Sequence, residues 1–234
     1  MRVCILGAGL SGLTLAKALV NKKIYVDVLF NKKAKKLNPT RTLGISKSNI
    51  EFFKSNIIDI NKIIWKLQNI EIFTENLKNE KLIKFENSEE YLFSIIRNFE
   101  LYKIIINSLN NTKYFRKIYS IGNNIQKDYN LIINTDYNNP ITKKLFYKSI
   151  IKKYNSYAYT TSIKHKKIKN NIATQIFTKK GPLAFLPISN SETSVVYSVH
   201  KLNYEKQENI SALIKNYNFK YEIQKIQKIE KYEL

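Results

Sequence analysis

Residues 1–30, MRVCILGAGLSGLTLAKALVNKKIYVDVLF, read as an apolar strand, a glycine turn, a helix and a second strand. The chain has only six glycines, and three of them, Gly7, Gly9 and Gly12, share the six-residue stretch G-A-G-L-S-G. Residues 1–6 are apolar enough for a short buried strand, and Gly7 permits a tight turn out of it. Gly9 has no Cβ, so a pyrophosphate can come close to the main chain, and Gly12 lets the following helix lie close against the strand. With Ala8, Leu10 and Ser11 completing the loop, the helix start offers backbone N–H groups and the positive end of the helix dipole to an anion. Leu13, Ala16, Leu19 and Val20 recur at helical spacing, and Tyr25 to Phe30 supplies the second strand. The stretch therefore predicts a Rossmann-like βαβ unit that binds a dinucleotide.

A secretory signal is the competing reading, with Arg2, an uncharged run to Leu15 and small residues around 16–18. Against it, Lys17 interrupts the region of cleavage and the pattern runs on into a strand at Ile24. One position departs from the dinucleotide pattern. An acidic residue about 20 positions past the glycines ordinarily holds the ribose hydroxyls. Here the second strand ends in Phe30-Asn31-Lys32, and a neutral Asn31 hydrogen-bonds a ribose more weakly than a carboxylate does. Asp27 is no substitute, because it falls inside the strand.

A chain of 234 residues that is 44% hydrophobic can bury a sizeable core. No run approaches the roughly 18 apolar residues of a membrane helix. The single cysteine, Cys4, excludes an intrachain disulfide and fits a reducing compartment. Forty basic residues against 18 acidic ones, net +22, would ordinarily point to nucleic acid or an anionic membrane. The lysines are instead dispersed among Asn, Ile, Tyr and Phe, as when codons are dominated by A and T, in short clusters such as 32–36 and 164–169. A solvated face is the first reading, attraction to anionic lipid the next, and nucleic acid comes third, so no nucleic-acid partner is expected. Two histidines, His165 and His200, and one cysteine cannot build a metal cluster or a Cys/His nucleophile pair. Both histidines read as strand-end surface residues. If the protein is an enzyme, a cofactor carries its chemistry.

Along the chain, residues 32–45 read as a basic loop turning at Pro39, followed by a helix from about Ser46 to Lys54. Arg41 stands out in a chain that prefers lysine: its planar guanidinium suits a phosphate or a flavin edge, or makes an ordinary loop salt bridge. Ile70 to Phe73 and Leu82 to Phe85 flank a polar break and predict a hairpin. Residues 97–109 predict a helix, and Tyr114 to Ile118 a strand. Leu131 to Thr135 predicts a buried strand before Asp136 and a helix opening at about Pro140. A carboxylate at the carboxyl end of a parallel strand sits where open α/β sheets place ligands. Beyond Asn155 the period is two, with strands at 157–163, 172–178, 183–188 and 193–199. A helix over 205–216 and a last strand within 219–234 complete the chain.

Three separated segments together resemble the flavin-dependent aromatic-ring hydroxylases of ubiquinone biosynthesis, relatives of p-hydroxybenzoate hydroxylase. GAGLSGLTLAKAL looks like their amino-terminal FAD motif. LIINTDYNNPITKKLF resembles their Asp-Gly motif, with Asp136 at the aspartate and Lys143 at the basic position, while Tyr137 replaces the glycine. GPLAFLPIS with TSVVYSV resembles the strands beside the flavin ring, and Arg41 and Asn98 fall at a flavin-contacting arginine and a polar helix-start residue.

The resemblance implies an α/β fold: a Rossmann-like FAD-binding domain (1–65 and 95–150) with an inserted mixed or antiparallel β-sheet substrate domain (66–94 and 151–234). It implies FAD bound by Gly7, Ala8, Gly9, Leu10, Ser11, Gly12, Asn31, Arg41, Asn98 and Asp136, and NAD(P)H as electron donor. The implied substrate is the aromatic ring of a polyprenylated phenol, hydroxylated by a cytoplasmic protein peripheral to an anionic inner membrane. It names no acid–base residue and no metal. Family members continue into a Gly-Asp motif beyond the position of Leu234, so a partner chain carrying that segment is expected. Two rivals stay open: a non-catalytic remnant acting as an interaction module, and an NAD(P)-dependent oxidoreductase.

Overall fold

A computed structural model describes residues 1–31, 38–75, 80–86, 91–122, 125–136, 138–141, 150, 152–203 and 209–234. In chain order the elements are β1 (Arg2–Leu6), α1 (Leu10–Asn21), β2 (Tyr25–Leu29), β3 (Thr42–Ser46), α2 (Lys47–Asn56), β4 (Ile64–Leu67), β5 (Asn69–Thr74) and β6 (Lys81–Glu86). Then follow β7 (Phe93–Arg97), α3 (Asn98–Asn110), β8 (Phe115–Ile118), α4 (Ile125–Asp128), β9 (Leu131–Asn134), β10 (Ser156–His165) and β11 (Ile172–Thr178). β12 (Gly181–Pro187), β13 (Glu192–His200), α5 (Ile210–Tyr217), β14 (Ile223–Ile226) and β15 (Glu230–Glu233) end the chain. They form two compact units, the first from 1–38, 48–62 and 98–151, the second from 39–47, 63–97 and 152–234.

The first unit is built on a four-stranded parallel sheet in the order β8-β2-β1-β9. Val3, Cys4, Ile5 and Leu6 of β1 are fully buried, as expected of a central parallel strand covered on both faces. α1 turns Gly12, Leu13, Ala16 and Val20 inward and packs along α3, which buries Leu101, Ile105 and Leu109. Full burial of each such aliphatic side chain stabilises the fold by about 1.5–3 kcal/mol. Asp27 is buried inside β2 and satisfied by groups from neighbouring elements. Arg116 of β8 donates from Nε and Nη2 at 2.9 and 2.6 Å, Arg2 of β1 donates at 3.1 Å and the Tyr129 hydroxyl at 2.7 Å. The carboxylate thereby fastens three adjacent strands.

The second unit holds an eight-stranded mixed sheet in the order β14-β10-β13-β12-β11-β5-β6. β15 also pairs with β10, and β11 with β5 is the parallel pair of this sheet. Tyr159, Ile163, Leu183, Phe185, Val195 and Tyr197 form its core with Ile210 and Ile214 of α5, whose start is capped by Asn209 accepting from the Ala212 N–H. At the β11–β12 turn Gly181 has φ +151°, and a Cβ there would overlap the Ser198 carbonyl. The hairpin expected around residues 70–85 is β5 and β6, and the meander expected after Asn155 is β10 to β13.

Four expectations change. Residues 32–45 are not loop throughout: β3 forms a three-stranded antiparallel sheet with β7 and β4, two strands whose local pattern is too short to declare them. Because β3 pairs with β7, residues 39–47 lie in the second unit. The Phe93 ring packs over Gly44 of β3, where a Cβ would displace it. The last strand is two short ones: β10 has a bulge at Lys164/His165, and β15 and β14 pair with different lengths of it. His165 is not a surface residue but 2% exposed. It is satisfied by the Lys166 carbonyl at Nδ1 (2.9 Å) and by Thr193 Oγ1 at Nε2 (3.0 Å), with Tyr221 against its ring. The helix expected over 205–216 begins at Ile210, while 204–208 lie outside the described residues, as do most of the segment after Pro140 and Tyr137 and Lys143. No described helix is long and apolar enough to cross a membrane.

Candidate functional site

In the first unit all four strands run parallel, so their carboxyl ends share one edge. That edge carries Gly7 after β1, Asn31 after β2, Tyr119 after β8 and Asp136 after β9. Chain order reverses between β1 and β9, which makes Gly7 and Asp136 the flanks of the crevice in which open α/β sheets take their ligands.

The glycine loop is shaped by three distinct demands. Gly7 has φ +111°, a conformation L side chains rarely adopt, and a Cβ there would come within 2.8 Å of Thr135 Oγ1 and 3.0 Å of Asp136 Cβ. Gly12 is buried; a Cβ on it would overlap the Gly7 carbonyl and approach Thr135 Oγ1 to 2.8 Å. Gly9 differs from both, with φ −75° and ψ 177°, and no atom of the described residues lies within 4 Å of where its Cβ would be. It is the N-cap of α1, where no side chain caps the helix start and no acidic residue occupies the first turn. The loop thus leaves open space in front of main-chain N–H groups at a positive dipole end, a chemistry suited to a phosphate. Ala8, Leu10 and Ser11 line this turn, and Ser11 is exposed.

Thr135 was not singled out by the sequence, yet it holds the loop in shape. Its N–H donates to the Leu6 carbonyl at 2.8 Å, and its hydroxyl donates to the same carbonyl at 2.9 Å and lies 3.2 Å from that of Gly7. The only signal was a Thr-Asp step directly after an apolar strand, a common turn opening. Asp136 begins that turn: its N–H donates to Asn134 Oδ1 at 3.0 Å, and its carboxylate accepts from the Asn138 N–H at 3.1 Å.

Asn31 is exposed at the end of β2. Asn98 opens α3, and its side-chain carbonyl oxygen is enclosed with no hydrogen-bond partner among the described residues. An orphaned buried acceptor costs about 1–3 kcal/mol and fits a ligand that supplies a donor. Arg41 belongs to the second unit, where its guanidinium lies 5.8 Å from the centroid of the Tyr232 ring. Among the described residues no group of three or more His, Cys, Asp or Glu side chains is arranged to hold a metal.

Burial would raise the Asp27 carboxyl, but hydrogen bonds from Arg116 and Tyr129 and the charges of Arg116 and Arg2 outweigh it and hold it below the usual carboxylate range. Burial, with the Asp27 charge behind it, pushes the Cys4 thiol up to about 11, so it is no nucleophile at neutral pH. Neither group reaches the open edge.

The residues brought together at the loop fit the diphosphate of a dinucleotide: an open main-chain cradle at Gly9, an uncapped helix start and a carboxylate beside the loop. No protein-family model matches the sequence, and neither does any curated protein. Solved structures do match in fold. PqsL of Pseudomonas aeruginosa in complex with 2-aminobenzoylacetate aligns with a TM-score of 0.68 at 12% identity, over 86% of this chain and 61% of PqsL. p-Nitrophenol 4-monooxygenase PnpA of Pseudomonas putida aligns at 0.71 and 12% identity, over 98% of this chain and 67% of PnpA. HpxO of Klebsiella pneumoniae, complexed with FAD and uric acid, aligns at 0.69 and 13% identity, over 92% and 60%. The chain therefore has the mixed α/β fold of FAD-dependent monooxygenases, and spans about three fifths of the length of PqsL and HpxO.

Proposed function

We propose that the first unit holds the adenosine diphosphate half of FAD and that the protein is an FAD-dependent monooxygenase acting on a small aromatic ring. The observation that carries this reading is the open space at Gly9, at the uncapped start of α1 and beside Asp136. In it the N–H groups of the glycine loop and the α1 dipole face the diphosphate, Thr135 keeps the loop in shape, and Asn31 meets the ribose. Asn98 offers its orphaned carbonyl oxygen to a donor of the cofactor. When bound, FAD supplies the redox chemistry, taking electrons from a donor and activating oxygen toward the ring. The chain's own part is to bind, orient and exclude water, so no acid–base residue is named.

The similarity in fold to PnpA, PqsL and HpxO supports the reading at the level of reaction class. The finer features are also proposals: NAD(P)H as donor, a polyprenylated phenol of ubiquinone biosynthesis as substrate, and peripheral attachment to an anionic membrane favoured by the net charge of +22.

The test is a titration of FAD into the purified chain, followed by quenching of flavin fluorescence and by thermal shift. Saturable binding that ADP competes away is the expected result. A chain that shows no quenching and no shift with FAD, and none with ADP, would end the proposal.

A further inference from the structure

The second unit carries a cavity of its own, on the side of its large sheet that α5 covers. It measures about 440 Å³, the size of a small-molecule pocket, and lies between the β11–β12 turn, the end of β5 and α5. Tyr197, 1% exposed and stacked on Tyr159 with ring centroids 6.3 Å apart, closes its floor. Leu213 and Tyr217 stand one helical turn apart on α5 and form an apolar wall, with the exposed Ala212 and Asn216 beside them on the same stripe.

The rim is the turn Lys179-Lys180, and it is held in place. The Thr178 hydroxyl donates to the Gly181 carbonyl across the turn at 2.7 Å, and Gly181, with no Cβ, lets the turn lie against the Ser198 main chain. The Lys179 main-chain N–H donates to Glu75 Oε2 at 2.7 Å, which fastens the turn to the end of β5. Glu75 thus spends one carboxylate oxygen on the main chain, while the Lys179 ammonium has no ion pair or hydrogen bond among the described residues. With Lys180 on the rim as well, cations outnumber the one carboxylate among the described lining residues.

We propose that this cavity is a small-molecule site that takes an aromatic carboxylate, its ring against Leu213 and Tyr217 and its carboxylate on the Lys179 ammonium and the Asn216 amide. A flat ring buries much apolar area against such a wall, and a charge-assisted hydrogen bond to an ammonium is among the stronger ones available. Because the turn is already fastened, little ordering opposes binding.

The experiment uses the full chain and three probes, followed by saturation-transfer NMR and thermal shift. Benzoate is the ligand, benzamide the uncharged molecule of the same shape, and cyclohexanecarboxylate the charged one without a flat ring. Benzoate is expected to bind with a dissociation constant below about 1 mM, about tenfold tighter than benzamide and tighter than cyclohexanecarboxylate, and to weaken as salt screens the ammonium. Lys179→Gln keeps the main-chain bond to Glu75 and weakens benzoate by about fivefold or more, with benzamide nearly unchanged. Ala212→Trp sends a large ring into the space from an exposed helix position and abolishes binding, and melting curves check that both variants fold. Equal affinity of benzoate and either other probe overturns the inference. So does undiminished benzoate binding in both variants, because the anion is then held elsewhere on a basic chain, and so does the absence of saturable binding. No arm involves a flavin, so the inference fails or stands apart from the proposed function.

Discussion

Gly9 and Gly12 stand three positions apart in one loop and do opposite work. At Gly9 the backbone is in a region any residue adopts and the space beyond it is open. An alanine there leaves stability within about 0.5 kcal/mol of the native chain. Its methyl group occupies the approach of the diphosphate, so FAD binding weakens by about tenfold or more. At Gly12 a methyl group meets the Gly7 carbonyl and the Thr135 hydroxyl, backbone and a short side chain that cannot swing away. Gly12→Ala therefore costs about 1–3 kcal/mol of stability. Urea unfolding and FAD quenching on the two variants separate the roles; equal loss of stability in both would mean that the face of Gly9 is not open.

Among the elements, β1, β2 and β8 depend on a charge that parallel strands rarely carry. Asp27 is buried at 3% exposure, whereas the side chains of Arg2 and Arg116 are 45% and 57% exposed, so the arginines can rehydrate if the carboxylate is removed. Asp27→Asn is for that reason expected to cost about 1–3 kcal/mol at neutral pH, less than breaking a sealed ion pair. Because the folded Asp27 carboxyl lies below its unfolded value, its stabilisation is fully present above the unfolded pKa, near 4. It is lost as pH falls through the folded one. Melting temperatures of the native chain should fall below about pH 4 more steeply than those of Asp27→Asn. Parallel acid limbs in the two proteins would show that another carboxylate governs acid unfolding.

At the scale of the molecule the dominant quantity is the net charge of +22 with a pI near 9.8. Dispersed like charges repel in the compact state, and the repulsion is screened over about 10 Å at 0.1 M salt. Raising sodium chloride from about 10 to about 150 mM should therefore raise the melting temperature. It should also weaken adhesion to vesicles rich in phosphatidylserine. A melting temperature indifferent to salt would show that the lysines are already compensated locally, as Lys81 is by Glu71 and Lys228 by Glu230.

The glycine turn, its strand–helix–strand frame, the 70–85 hairpin and the later meander were legible in the sequence because each is written in local spacing. Glycine permits a turn, a period of 3.6 makes a helix, and a period of two makes a strand. Asp136 was legible for the same reason, as a carboxylate directly after an apolar run. What folding alone decided depends on partners far along the chain. β3 became a strand because β7 lies beside it, His165 was buried because Thr193 and Tyr221 enclose it, and Thr135 became the clasp of a loop about 128 residues earlier. Asp27 was tolerated inside a parallel strand because two arginines and a tyrosine converge on it. A sequence states what each segment can do alone; whether a polar group may be buried, or a short segment paired, is settled only by the atoms that folding brings next to it.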